Sequence, residues 1–257
     1  MKIECIKTHH VRCHLEMPFG FSQWSYDQRN VLLIQVITDT GLSGWGECYG
    51  PADVIQAAAE KFYAPRILGM NALETDVIWQ HMWRSSLDFA RAGVMTAAIS
   101  GIDMALWDLY GRATGLPVYQ LLGGRTRRDM PLYHSITCIA PDEMARIARE
   151  AYATGVRQFQ VKLGADADWQ ADAERLAKVR EAVGGGPLVY GDWNCGATKL
   201  HATRTGRAVA HLDVMLEQPC KTLEDCAAVR KATGLPMKID EGAYDLGSLM
   251  RAADLGV

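Results

Sequence analysis

The chain has 257 residues, 49% apolar and 22% charged, with 27 basic against 30 acidic side chains and a formal net charge of −3. That apolar fraction excludes general disorder, and the charge balance excludes a broad basic footprint for nucleic acid. No segment offers the ~18 uninterrupted apolar residues of a membrane-spanning helix, and the opening MKIECIKTHHVRCHLEM lacks the apolar run of a signal peptide, so the cytoplasm is the expected compartment.

Residues 3–15 and 30–38 are rich in β-formers, and VLLIQVIT at 31–38 reads as the clearest strand. Asp39-Thr40-Gly41 reads as a turn and 42–48 as the returning strand. Between the first two strands, 17–28 reads as a loop, with Gly and Pro set among Phe19, Phe21, Trp24 and Tyr26. Four aromatics there fit a loop that closes over something apolar, or one packed on its own domain. Residues 53–64 and 73–87 are helical by composition. A stronger helix spans 94–113, where Val94, Ala98, Ile102, Ala105 and Leu109 keep the rhythm of a buried face. Gly115 ends it and Pro117 confirms the stop. Gly123-Gly124 and the basic run 125–128, a solvated linker, mark a boundary between 1–125 and 126–257.

Beyond it, strands at 131–137, 157–163, 187–192, 214–218 and 236–240 alternate with helices at 141–153, 168–183, 199–210, 222–232 and 245–255. Pro141 suits a first helical turn. Ala173, Leu176, Val179 and Val183 face inward, and Thr222 with Asp225 forms a cap-like pair. Five β–α units predict a parallel sheet or barrel with right-handed crossovers. No G-x-G-x-x-G or P-loop follows any strand, which disfavours a nicotinamide-dependent oxidoreductase. A complete eight-unit barrel takes ~250 residues, so the barrel is expected to be incomplete here and the chain part of a longer protein. Seven cysteines without a C-x-x-C pair predict neither a disulfide framework nor a structural zinc site. They read mostly as small core hydrophobes in a reducing compartment. The seven histidines form no metal-ligand pair.

The chemistry lies at the strand ends. Lys162, Asp192, Glu217 and Asp240 close successive barrel strands at intervals of 30, 25 and 23 residues. In a parallel barrel these side chains share the carboxyl rim, where such folds keep their active sites. Adjacent strands lie ~4.8 Å apart, so the three carboxylates can converge. Three negative charges need a counter-charge, and an oxygen-only donor set selects Mg²⁺ over zinc. The alternative is that each acid merely caps the next helix. Lysine is costly in a barrel interior unless it has a task. Beside a divalent cation, Lys162 is placed to act as a base toward the α-carbon of a carboxylate bound to the metal.

The segments TDTGLSGWGE (38–47), GIDMALWDLYGRATGLPVYQLLGG (101–124), FQVKLG (159–164), YGDWN (190–194), MLEQP (215–219) and KIDEG (238–242) resemble the enolase superfamily, in its mandelate-racemase and muconate-lactonizing branch. The resemblance implies an N-terminal α+β capping domain over a modified (β/α) TIM-type barrel. It implies Mg²⁺ held by Asp192, Glu217 and Asp240, with Lys162 as the base on one face of a small carboxylate substrate. It makes Asn194, Glu241 and Gln160 supporting groups. It makes the 17–28 segment and residues 48–53 specificity loops, lets Ser135 and Thr137 reach the substrate, and suggests a homo-oligomer.

Two departures stand out. The branch usually carries Lys-x-Lys at the second barrel strand, and here the first lysine is Gln160. The partner lysine near the sixth strand lies beyond Val257, so both two-base racemisation or epimerisation and one-base dehydration remain open. The Gln-x-Lys variant with MLEQPCKTLED (215–225) resembles members acting on proline-type amino acids: epimerases of proline betaine or hydroxyproline betaine, and hydroxyproline dehydratases. A cage of Phe19, Phe21, Trp24 or Tyr26 suits a quaternary ammonium. Dipeptide epimerase, cycloisomerase and sugar-acid dehydratase are alternatives within the superfamily. A catalytically degenerate barrel is the alternative outside its chemistry.

Overall fold

The computed structural model describes residues 1–257. It divides into two compact units: Met1–His14 with Gln28–Arg128, and Leu15–Asp27 with Asp129–Val257.

A three-stranded sheet runs in the order β1 (Ile3–Gly20), β2 (Ser25–Thr38) and β3 (Ser43–Cys48), all of it in the first unit but the end of the β1–β2 hairpin, 15–27. In β2 the alternation buries Leu32, Ile34 and Val36 on one face. β2 and β3 pair antiparallel from Leu32↔Cys48 to Ile37↔Ser43. A broken helix follows: α1 (Ala52–Ala57), a π-helical stretch (Ala58–Tyr63) and α2 (Ala64–Ile67). α3 (Thr75–Ser86), α4 (Val94–Thr114) and the short α5 (Val118–Leu121) complete the unit. α4 ends at Gly115, whose φ of 69° is left-handed. Glycines let α4 lie directly on β3: a Cβ at Gly46 would strike the Gly101 carbonyl, and one at Gly101 would strike the Cys48 sulfur.

The second unit is a five-stranded sheet in the order β4 (His134–Ile136), β5 (Gln158–Lys162), β6 (Leu188–Asp192), β7 (Met215–Glu217) and β8 (Met237–Lys238). All four pairings are parallel. The helices α6 (Pro141–Ala153), α7 (Trp169–Val183), α8 (Lys199–Ala208), α9 (Leu223–Thr233) and α10 (Leu246–Leu255) alternate with them. Strands in sequential order, each returning through a helix, form the pattern of a (β/α) barrel, of which five units are present. Helix starts follow local chemistry. The Asp168, Thr198, Thr222 and Asp245 side chains accept from the first-turn amides of α7, α8, α9 and α10. Phe159, Val161, Leu176, Val189, Leu216 and Val229 form the core of this unit.

Two expectations need correction. The aromatic 17–28 segment is not a loop. β1 runs through Gly20 and β2 starts at Ser25, leaving a four-residue turn closed by Phe21 N–H donating to Trp24 O at 3.1 Å. The aromatics sustain the hairpin by packing on one another: Phe19 stacks on Tyr26 at 5.7 Å, and Phe21 meets Trp24 edge-on at 5.7 Å. The last strand, expected over 236–240, stops at Lys238. All seven cysteines are free; Cys48, Cys220 and Cys226 are buried, and Cys13 is exposed. No helix is long and apolar enough to cross a membrane.

Candidate active site

Register builds the site. The parallel ladders set Lys162 beside Asp192, Asp192 beside Glu217, and Glu217 beside Lys238. Residues sharing a row across a sheet share a face, so four charged side chains, two acids flanked by two lysines, line one rim of the strands. Three of them are nearly out of water: Lys162 is 8% exposed, Asp192 0% and Glu217 1%. Burial of this kind requires partners. The Lys162 ammonium donates to Asp192 Oδ2 at 2.6 Å and to Asn194 Oδ1 at 2.9 Å. Lys238 Nζ pairs with Glu217 Oε1 at 2.7 Å, and lies 4.7 Å from the centre of the Tyr190 ring.

Gln160 lies two residues before Lys162, on the same face of β5. Its amide bridges the two acids, donating to Asp192 Oδ2 at 3.0 Å and to Glu217 Oε2 at 2.9 Å. Ser135 Oγ donates to the Gln160 carbonyl oxygen at 2.7 Å, which fixes the amide orientation. Where the branch usually has a cation, this chain has a neutral bridge between carboxylates. Burial, and then the charge of Asp192, pushes the Glu217 carboxyl above its ordinary value; Lys238 and Gln160 relieve this only in part.

The chain beyond β6 is strained in a useful way. Asn194 and Cys195 have φ of 45° and 66°, in the left-handed region. Asn194 N–H donates to Asp192 Oδ1 at 2.8 Å, and its side-chain amide donates to Glu241 Oε1 at 2.9 Å. Glu241 therefore holds Asn194, which holds Lys162. Burial, then the charge of Glu241, pushes the Cys195 thiol up to about 12, so it stays protonated rather than serving as a nucleophile.

Asp240 does not stand in the row. β8 ends at Lys238, so the lysine takes the place opposite Glu217, and Asp240 follows two residues later, exposed, with its N–H donating to Gln218 Oε1 at 3.0 Å. The structure thus brings two of the three acids into contact through Gln160, and no group of three acidic, histidine or cysteine side chains stands ready-made around one point. Two buried carboxylates, held against ammonium and amide donors, are still a donor set that suits a hard divalent ion. Thr137 is buried against the hairpin. Its Oγ1 accepts from Gly20 N–H at 2.6 Å, so its hydroxyl is occupied by the 15–27 segment. That segment is bonded further along: Gln23 Nε2 donates to Asn194 O at 2.7 Å, and Ser22 Oγ donates to Trp193 O. Phe19, Phe21 and Tyr26 are half-buried and Trp24 is exposed.

The sequence reading passed over the half-exposed Lys238 and the buried Gln218 and Asp172. Lys238 had a signal, since it lies two residues before Asp240 in the strand expected over 236–240. Gln218 stood next to Glu217. Asp172 lies on the buried stripe of α7 and accepts from Gly164 N–H, Arg175, Trp193 Nε1 and His201 at 2.8–3.0 Å.

The comparisons with known proteins identify the family. Residues 3–123 match the mandelate racemase / muconate lactonizing enzyme N-terminal domain, and residues 143–257 match the enolase C-terminal domain-like family. The chain is 33% identical to the cis-3-hydroxy-L-proline dehydratase of Roseibium aggregatum, over 98% of this chain and 69% of that protein. It is 31% identical to the N-succinyl-L-Arg/Lys racemase of Bacillus cereus, over 94% of this chain and 66% of that one. Among solved structures, a racemase from Streptomyces coelicolor with bound magnesium superposes with a TM-score of 0.90 at 26% identity, covering 99% of this chain and 73% of its own. The chain thus spans about two thirds of the length of these relatives. Both family domains, matched in order along nearly the whole sequence, make this chain a member of the mandelate racemase and muconate lactonizing enzyme family of the enolase superfamily.

Proposed function

We propose that the protein removes the α-proton of a carboxylate substrate, with Lys162 as the base and Mg²⁺ held by Asp192, Glu217 and Asp240. The observation that carries this reading is the buried row Lys162–Asp192–Glu217, an amine set against two crowded carboxylates. The ion, when bound, supplies positive charge to the substrate carboxylate and so makes the neighbouring C–H bond more acidic. The remaining work falls to the chain. Asn194, steadied by Glu241, aims the Lys162 nitrogen; in its neutral amine form that nitrogen takes the α-proton and becomes the ammonium, while the C–H electron pair stays on the substrate. Gln160 keeps the two acids apart at a fixed spacing. Residues 1–125 serve as the capping domain, with 48–53 and the aromatic hairpin selecting the substrate, and the barrel domain starts at 126.

For the substrate class we favour a proline-type amino acid or betaine. Support comes from the Gln160-x-Lys162 pattern, the aromatics Phe19, Phe21, Trp24 and Tyr26, and the likeness to a hydroxyproline dehydratase. Dehydration or epimerisation would follow according to whether a β-hydroxyl leaves or a proton returns from the opposite face. The test is α-hydrogen exchange in deuterated water, with the full-length protein and a panel of amino acid, betaine and sugar carboxylates. Lys162→Ala is expected to slow exchange on its own face by at least ~100-fold. Exchange at the wild-type rate would reject Lys162 as the base. Exchange with dipeptides or sugar acids but no proline derivative would reject the substrate class alone.

A further inference from the structure

Gln218 follows Glu217 directly, and it is fully buried with a left-handed φ of 32°. A non-glycine residue held there costs energy and persists only where the surroundings demand it. Its polar groups show what the demand is, because every one is used. The backbone N–H donates to Lys238 O at 2.9 Å, and the carbonyl accepts from Cys195 N–H at 2.9 Å. The side-chain oxygen accepts from two amides on the segment after β8: Asp240 N–H at 3.0 Å and Gly242 N–H at 3.1 Å. The side-chain nitrogen donates to Cys220 O at 3.0 Å, at the approach to α9. Gly242 allows the approach, since a Cβ there would press on Leu223 at 2.8 Å and on the Gln218 amide at 3.1–3.3 Å.

The β7–β8 ladder stops at Glu217↔Lys238. Past that point the Gln218 side chain does what a neighbouring strand's carbonyl would have done. It fixes residues 240–242 where no strand fixes them. That short segment carries Asp240, the outlying acid, and Glu241, which steadies Asn194 and through it Lys162.

We infer that Gln218 is a positioning residue that sets both Asp240 at the metal and Glu241 in the chain leading to the base. The inference rests on the proposed metal ligands for its first half and on hydrogen bonds within the protein for its second. Two of its predictions need no metal. In the metal-free wild-type protein, the Asp240 and Gly242 amides exchange slowly with deuterated water. In Gln218→Met, which keeps the length but loses both polar ends, exchange in residues 239–243 rises at least tenfold while the rest of the chain is unchanged. With Mg²⁺ alone as the probe, calorimetry on Gln218→Met shows at least a tenfold loss of affinity. Gln218→Glu keeps an oxygen for the two amides, and it is expected to restore slow exchange and to bind Mg²⁺ far more tightly than the Met variant.

Fast wild-type exchange at Asp240 and Gly242 would overturn the inference, even if the Met variant fails to fold. So would wild-type exchange and wild-type Mg²⁺ affinity in a folded Gln218→Met. No Mg²⁺ binding by the wild-type protein would instead reject the proposed metal ligands, with the exchange pattern still deciding whether Gln218 holds the segment.

Discussion

Glu217 is the residue at which function and stability pull apart. Its carboxyl is pushed up first by burial and then by Asp192, so the folded protein holds that proton more tightly than the unfolded chain. Well below about pH 4 both states are protonated and the position is neutral to folding. As pH rises, the unfolded chain releases its proton first, and the stability of the fold falls until the raised folded value is passed. Glu217→Gln removes that penalty. In the absence of metal it should melt higher than wild type at pH 7, by roughly 2–4 °C for each kcal/mol relieved, with the gain vanishing toward pH 4. It should also have lost proton exchange. Equal melting temperatures across the pH range would refute the argument. At this scale Lys162, Asp192 and Glu217 were legible because strand ends recur with the period of the β–α unit. Lys238 and Gln218 stood beside marked residues, but their roles depend on where β8 stops hydrogen bonding, and no local pattern marks that point.

Among the elements, α7 carries the clearest energetic burden. Its buried stripe includes Asp172 and Arg175 as well as Leu176, Val179 and Val183. Asp172 is fully enclosed. It ties the loop after β5, through Gly164 N–H, to the residue after Asp192, through Trp193 Nε1. Arg175 pairs with it at 3.0 Å and with Asp166 at 2.5 Å. Asp172→Ala breaks a buried ion pair to Arg175, which keeps only Asp166 and the Ile139 carbonyl, and leaves the Trp193 indole N–H and the Gly164 amide without their acceptor. The expected loss is about 3–5 kcal/mol in urea denaturation, and a loss under ~1 kcal/mol would show that water or Asp166 replaces it. The helices were largely readable from apolar spacing, and so was the start of α9 at Thr222. The hairpin arms were not, because Pro18 and Gly20 signal a turn, while the pairing of Phe19 with Tyr26 that keeps them extended is a contact across strands.

Across the molecule, a ligand that binds only the folded state adds stability by mass action. Mg²⁺ at about 100 times its dissociation constant should add ~2.7 kcal/mol, seen as a rise in melting temperature that a chelator reverses. Asp192→Asn should flatten that response; an unchanged response would move the ion elsewhere. The (β/α) pattern was visible because sequential parallel strands follow chain order. That residues 15–27 group with the second unit was not, since it is decided by hydrogen bonds to partners more than a hundred residues away. Under the proposed role of the hairpin in substrate selection, those bonds have an implication for how selectivity can drift. Ser22 and Gln23 grip the main-chain oxygens of Trp193 and Asn194, and Gly20 O receives the Cys138 amide. Main-chain acceptors exist whatever side chains surround them, so the aromatic tip can be rewritten at Phe21 and Trp24 without unfastening it from the strands. Diversity at the fingertip comes at no expense to the wrist.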